Sequence, residues 1–206
     1  MKTIICLSGK RHSGKTTVEN IIKRLAGNKA TSYQMATMLK RVVAALTNCD
    51  IKDLENPKFK ELKSDFLINA SNGLKNLTYR ELLITAGKVL RSYNDYIFVK
   101  DVLKHLDNIK EKIVIIPDVR EKHEIETLNN YADVKDYYFL TIRIERPGGE
   151  IKDQFSNDKT EIDLDEYPFD VYLSNDGDMN TLIRKVYDIL SSLGIIDKQI
   201  IEQFLF

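Results

Sequence analysis

Residues 9–16 read GKRHSGKT, a GxxxxGK[ST] pattern that follows the apolar stretch from Lys2 to Leu7 and precedes a helical periodicity from Lys15 to Leu25. Glycines at 9 and 14 let the backbone wrap an anion, with amide hydrogens and the positive end of the next helix turned towards it. This order of strand, loop and helix constrains the fold more than any other feature, because the motif works only where a buried strand delivers the chain to such a turn. The pattern implies that a nucleoside triphosphate is bound: Lys15 is expected to bridge its outer phosphates and the Thr16 hydroxyl to hold Mg2+. Gly9, Arg11, Ser13, Gly14, Lys15, Thr16 and Thr17 are the candidate nucleotide-binding residues. Lys10, Arg11 and His12 fill the variable positions, where solvation rather than catalysis is expected, and His12 is assigned no role.

Beyond the loop, apolar residues recur at helical spacing over Met38–Leu46, 78–93, 95–106 and Lys122–Tyr131, with Thr78 as a cap. The run KIVIIPDVR, the run YYFLTIRIE and the segment FDVYLSND read as strands, the first buried on both faces. Residues 50–76, lysine-rich and punctuated by Pro57 and Gly73, read as irregular helix and loop. Residues 146–168 hold Pro147, Gly148, Gly149 and many charges with little periodicity, so they read as a mobile lid. A final helix spans Asp178–Leu193. Strands alternating with helices imply an α/β fold with a mostly parallel sheet flanked by helices. In such sheets ligands gather beyond the C-terminal strand ends, where the phosphate loop, Asp118 and Arg120, and Asn175 and Asp176 would all lie.

The length, 206 residues, suits one domain with an insertion. Thirty-one basic and 31 acidic residues leave no net field to attract a nucleic-acid backbone. No apolar run reaches the roughly 18 residues of a membrane helix. Cys6 and Cys49 have neither metal-ligand nor CxxC spacing and read as reduced thiols, consistent with a cytoplasmic protein.

Asp118 ends a strand and is a candidate for the metal's surroundings or the acceptor, with Arg120 beside it pointing to a second anion. Arg143 and Arg146 stand at the mouth of the lid. There an arginine can stabilise the charge spread over a phosphoryl group in flight and help keep water out. Lys40, Arg80 and Arg91 lie on or beside helices and are candidates for an acceptor phosphate. Lys15, Arg120, Arg143 and Arg146 are the candidate catalytic residues.

Taken in order, LSGKRHSGKTT, YQMATMLK, YRELLITAGKVLR, IPDVREKHEIETL, IERPGG and SNDGDMNTL resemble the phage-type deoxynucleoside monophosphate kinases. The resemblance runs from the first strand to the last long helix. It implies a P-loop kinase fold in a single domain over 1–206, with a helical acceptor-binding insertion at about 33–108, a lid at about 146–168 and a tail at 194–206. It implies transfer of the γ-phosphoryl of ATP to a deoxynucleoside monophosphate (dNMP), with Mg2+, in the host cytoplasm if phage-encoded. Small molecules would then be the partners, with no nucleic acid and no membrane. Carried over, Lys40, Arg80 and Arg120 face the monophosphate, and Arg146 with Asn175, Asp176 and Gly177 face the lid and adenine. The family's RxxxQxLGT is altered here by Ile84, Ala86 and Lys88, which bears on base selection.

Other readings fare worse or stay open. A nucleotide-switched GTPase needs NKxD and DxxG, and neither occurs. A kinase of another small phosphorylated acceptor, or an interaction protein retaining a bound nucleotide, remains an alternative. Ile196, Ile200 and Phe204, spaced i, i+4, i+8, suggest a packed tail helix or a homodimer contact.

Overall fold

The computed structural model describes residues 1–70, 73–148, 159–197 and 201–205. The chain divides into two compact units, one of Met1–Gln34 with Val102–Phe206, the other of Met35–Asp101.

The first unit is built on a five-stranded sheet of β1 (Thr3–Ser8), β2 (Ala30–Ser32), β5 (Ile113–Ile116), β6 (Tyr138–Glu145) and β7 (Val171–Ser174), in the order β2-β5-β1-β6-β7. Every pairing is parallel. Continuous apolar runs suit such strands, since helices cover both faces; every residue of β1 and β5 is buried. On one side α1 (Lys15–Ala26) and α8 (Met179–Ser192) meet. Val18, Ile22 and Leu25 there join Leu182, Val186 and Leu190 in one core. Helix α6 (Lys122–Val134) packs on β6, burying Ile125 and Leu128 completely. The short helix α7 (Lys159–Ile162) follows residues 149–158, the part of the expected lid that lies outside the described residues, Gly149 among them.

The helix that the tail's spacing suggests falls in part on residues 198–200, which lie outside the described residues. Residues Ile201–Phe204 make a 3-10 turn, and Ile201, Phe204 and Leu205 pack against the core beside buried Ile196. Ile200 lies outside the described residues. Cys6, buried, and Cys49 are free thiols. Among the described residues, no helix is long and apolar enough to cross a membrane.

The second unit holds α2 (Thr37–Thr47), α3 (Pro57–Lys60), an antiparallel hairpin of β3 (Lys63–Ala70) and β4 (Gly73–Thr78), and α4 (Tyr79–Tyr93). Helix α5 (Ile97–Leu106) carries the boundary between the units. The reading of residues 50–76 as irregular helix and loop fits Asp53–Lys60, where a 3-10 turn (Asp53–Glu55) precedes α3; from Lys63 on it is corrected by the hairpin. Its alternation was masked because a polar residue, Ser64, is turned inward while apolar Leu67 is turned out. Ser64 is satisfied there by donating from Oγ to the Leu77 carbonyl at 2.9 Å. Phe66 and Ile68 supply the apolar side, packing on a cluster of Val43, Leu54, Leu77 and Leu82.

Thr78 caps α4 as its sequence position suggests. Its Oγ1 accepts from the Glu81 amide at 3.1 Å, and the Glu81 carboxylate accepts from the Thr78 amide at 2.9 Å. Thr78→Ala is expected to cost about 1 kcal/mol in denaturant unfolding, with Thr78→Ser retaining most of it. A change below a few tenths of a kcal/mol would show that the box contributes nothing.

Candidate active site

The phosphate loop starts where β1 ends, at the sheet's switch point. From β1, the sheet continues to β5 on one side and to β6 on the other. Gly9 and Gly14 both have positive φ, 153° and 105°, and the Gly14 carbonyl accepts from Val18 N to begin α1. His12, exposed, is also left-handed at φ 61°. The Lys15 ammonium reaches back over the loop and donates to the carbonyls of Gly9 at 2.6 Å and Lys10 at 2.8 Å. Thr16 is exposed and Thr17 half-buried at the start of α1. The Ser13 hydroxyl is buried without a hydrogen-bond partner, an unusual cost within a loop of this kind.

Strand register brings the other candidates level with the loop. Ser8 pairs with Arg143 on β6, and Arg143 with Tyr172 on β7. On the opposite side Cys6 pairs with Ile116, so Asp118 follows its strand by as many residues as Ser8 follows Cys6. Burial pushes the Cys6 thiol up, helped by negative charge on Glu124, Asp170 and Asp118, which puts Asp118 within electrostatic reach of β1. Asp118 and Arg120 are half-buried. The Arg120 amide donates to the carboxylate of Glu124 at 2.8 Å, and buried Glu121 and Glu124 form a reciprocal cap at the start of α6.

Between the phosphate loop and the ends of β6 and β7 lies a cleft of about 500 Å³. Among the described residues, Lys10, Arg11, Arg143 and Arg146 line it against two carboxylates, Glu145 and Asp165, beside Ser13, Ile144, Pro147, Gly148 and Tyr172. Such a surplus of cations favours an anionic ligand. Arg143 is buried and held on three sides. It donates to Ser8 Oγ at 3.1 Å and to Asp165 at 2.8 Å, and its guanidinium lies 5.7 Å from the centre of the Phe169 ring. Asp165 also accepts from Lys10 at 2.6 Å, so one carboxylate joins the phosphate loop to β6. Arg146 is exposed at the cleft edge.

The segment after β7 backs the loop. Asn175 Nδ2 donates to the Ser13 carbonyl at 2.9 Å, and its own amide donates to Glu145 O at 2.7 Å. Asp176 is exposed and bonded at 2.6 Å to Lys185, which also donates to Ser174 O; that lysine holds the Asp176 carboxyl below the usual range. Asp178 caps α8 by accepting from Thr181 N at 2.8 Å. A side chain at Gly177 would meet Thr181 Cγ2 at 2.9 Å, so the close approach of this turn to α8 favours glycine.

The remaining candidates lie in the second unit. Lys40 is buried on α2 and pairs with Glu55 at 3.2 Å. Arg80, on α4, bonds Glu61 at 2.6 Å. Arg91, at the far end of that helix, lies 4.7 Å from the centre of the Phe98 ring. Sequence reasoning did not single out Ser8, Asp165, Tyr172 or Lys185. Asp165 lies in a charge-rich stretch without periodicity, and only its bonds to Arg143 and Lys10, distant in sequence, reveal it.

A parallel sheet with a phosphate loop after its central strand, and cationic strand ends beside it, defines a P-loop kinase. A family model for phosphomevalonate kinase matches residues 7–134, well over half of the chain. The chain belongs to that family. No curated protein matches it. Among solved structures it is similar to dephospho-CoA kinase from Campylobacter jejuni, at 15% identity over 94% of this chain and 98% of that one with a TM-score of 0.50, which shows the shared fold. It is also similar to a Deinococcus radiodurans tunicamycin resistance protein, at 10% identity over 94% and 96% with a TM-score of 0.48. An APS kinase from Mycobacterium tuberculosis aligns at 12% identity over 92% and 97% with a TM-score of 0.42.

Proposed function

We propose that the protein transfers the γ-phosphoryl of ATP to the phosphate of a deoxynucleoside monophosphate, giving ADP and a deoxynucleoside diphosphate. The observation that carries the reading is the phosphate loop opening at the sheet's switch point beside a cleft with four cationic side chains. The acceptor rests on the ordered resemblance through PDVREKHE, RPG and NDG.

A phosphate acceptor needs little general-base help, so positioning two anions and offsetting their repulsion is the chain's main task. In this reading Lys15 leaves the carbonyls of its own loop for the outer phosphates, and the anchored Arg143 supplies a fixed positive charge. Arg146, at the cleft edge, supplies another that follows the residues after β6. Lys40, Arg80, Arg91 and Arg120 are assigned to the acceptor. The Thr16 hydroxyl and the Asp118 carboxylate are hard oxygen donors of the kind magnesium takes, and they would hold it. Held there, it would supply positive charge to offset the negative charge that develops during transfer.

Phosphomevalonate is the second acceptor to consider, because the family model names it. Both acceptors are phosphate monoesters converted to diphosphates, so one experiment separates them. In an ADP-coupled assay over the common nucleoside and deoxynucleoside monophosphates and phosphomevalonate, at least one dNMP is expected to exceed phosphomevalonate by roughly 100-fold in kcat/KM, about 2.7 kcal/mol of discrimination. The reverse preference would overturn the dNMP assignment and keep the kinase. ADP formation independent of every acceptor would remove both.

A further inference from the structure

Asn175 is one of the residues that the resemblance turns towards lid and adenine, yet its side-chain amide is spent on the protein itself. Nδ2 donates to the carbonyl of Ser13, and it lies so close to Gly14 that a Cβ there would come within 2.4 Å of it. The Ser13–Gly14 peptide is trans, as are all among the described residues. In a planar trans peptide the carbonyl and the next amide N–H point in opposite directions. Gripping the Ser13 carbonyl therefore fixes the Gly14 N–H as well, and aims it away from Asn175.

Asn175 is itself well braced. Its amide is tied to Glu145 O at 2.7 Å, next to Arg146. The turn that carries it is held from α8 by Lys185, which bonds both Ser174 O and Asp176, and by the Asp178 cap. A rigid support behind a phosphate-binding amide lowers the reorganisation needed when the anion arrives.

We propose that Asn175 is a positioning residue that sets the Ser13–Gly14 peptide of the phosphate loop, and that it acts on the phosphates through that peptide rather than by touching the base. This rests on the reading of the loop as a triphosphate site. Two measurements separate the proposal from that reading. In calorimetric titrations of Asn175→Ala and the isosteric Asn175→Asp, affinity for ATP and for inorganic tripolyphosphate is expected to fall by the same factor, about tenfold for the alanine variant and more for the aspartate. Loss of ATP affinity with tripolyphosphate unchanged would overturn the proposal in favour of a base contact, and no change in either would overturn it outright. Hydrogen exchange of the loop amides in the ligand-free variants is expected to quicken by about tenfold, with the amides of β1 and β5 unchanged. Unchanged loop exchange would overturn the proposal whatever ATP does. Wild-type protein that binds ATP no better than Lys15→Ala, with loop exchange still quickened in the Asn175 variants, would instead sink the triphosphate reading and leave the grip on the loop standing.

Discussion

Replacing Lys15 with alanine is expected to lower kcat/KM by about 10³-fold or more while leaving the fold in place. The ammonium of Lys15 lies over the loop, held there by the carbonyls of Gly9 and Lys10. Those two bonds are half-exposed, so water can replace them in the variant, and their loss should cost about 1 kcal/mol or less. For a chain of this size that is a thermal shift of only about 2–4 °C. The split between activity and stability is the point of the measurement. A variant that keeps activity within about tenfold of wild type would refute the role assigned to Lys15.

Gly9→Ala is expected to fail in a different way, by deforming the loop. A Cβ on Gly9 would meet the Ile144 carbonyl oxygen at 2.4 Å and Ser13 Oγ at 2.5 Å, at a φ of 153°. The Ser13 hydroxyl can rotate aside, but the Ile144 carbonyl belongs to β6, which is paired with β1 and with β7. The loop must move instead, at a cost of about 2–3 kcal/mol and a fall in thermal midpoint of roughly 4–12 °C, with triphosphate affinity lost. Gly87→Ala is the control. That glycine lies within α4 at an ordinary helical φ, with the nearest atom, Leu39 Cδ2, at 3.4 Å, and substitution should be neutral or slightly stabilising. Equal effects at the two positions would show that the contact with β6 is not what requires glycine at 9.

Four strands of the first unit, β1, β5, β6 and β7, were legible as short stretches rich in apolar residues and bounded by charge or turn residues, and its long helices because their apolar positions keep helical spacing; β2, the three residues ATS, carries no such run and was not read as a strand. The β3–β4 hairpin was not, since its one inward polar residue, Ser64, finds a partner only across the hairpin at Leu77. The site divides in the same manner. Residues inside a contiguous motif, such as Gly14 and Lys15, could be named with a local reason. Arg143 could be read equally as catalytic or as a strand-end charge, and its anchoring by Ser8 and Asp165 depends on residues 135 and 22 positions away. Asn175 was noticed from its place after a predicted strand and through resemblance, while its contact with Ser13 spans 162 residues and has no local signature.

The sheet's margins carry one more consequence. Among the described residues its two outer strands are brief, three residues in β2 and four in β7, and β7 presents an exposed tyrosine, Tyr172. A foreign strand aligning on either border finds too few unpaired amides to hold it, which guards the folded chain against edge-to-edge polymerisation. The fully buried, apolar strands β1 and β5 are both interior. At high concentration, association through this sheet should therefore require partly unfolded molecules rather than its native borders.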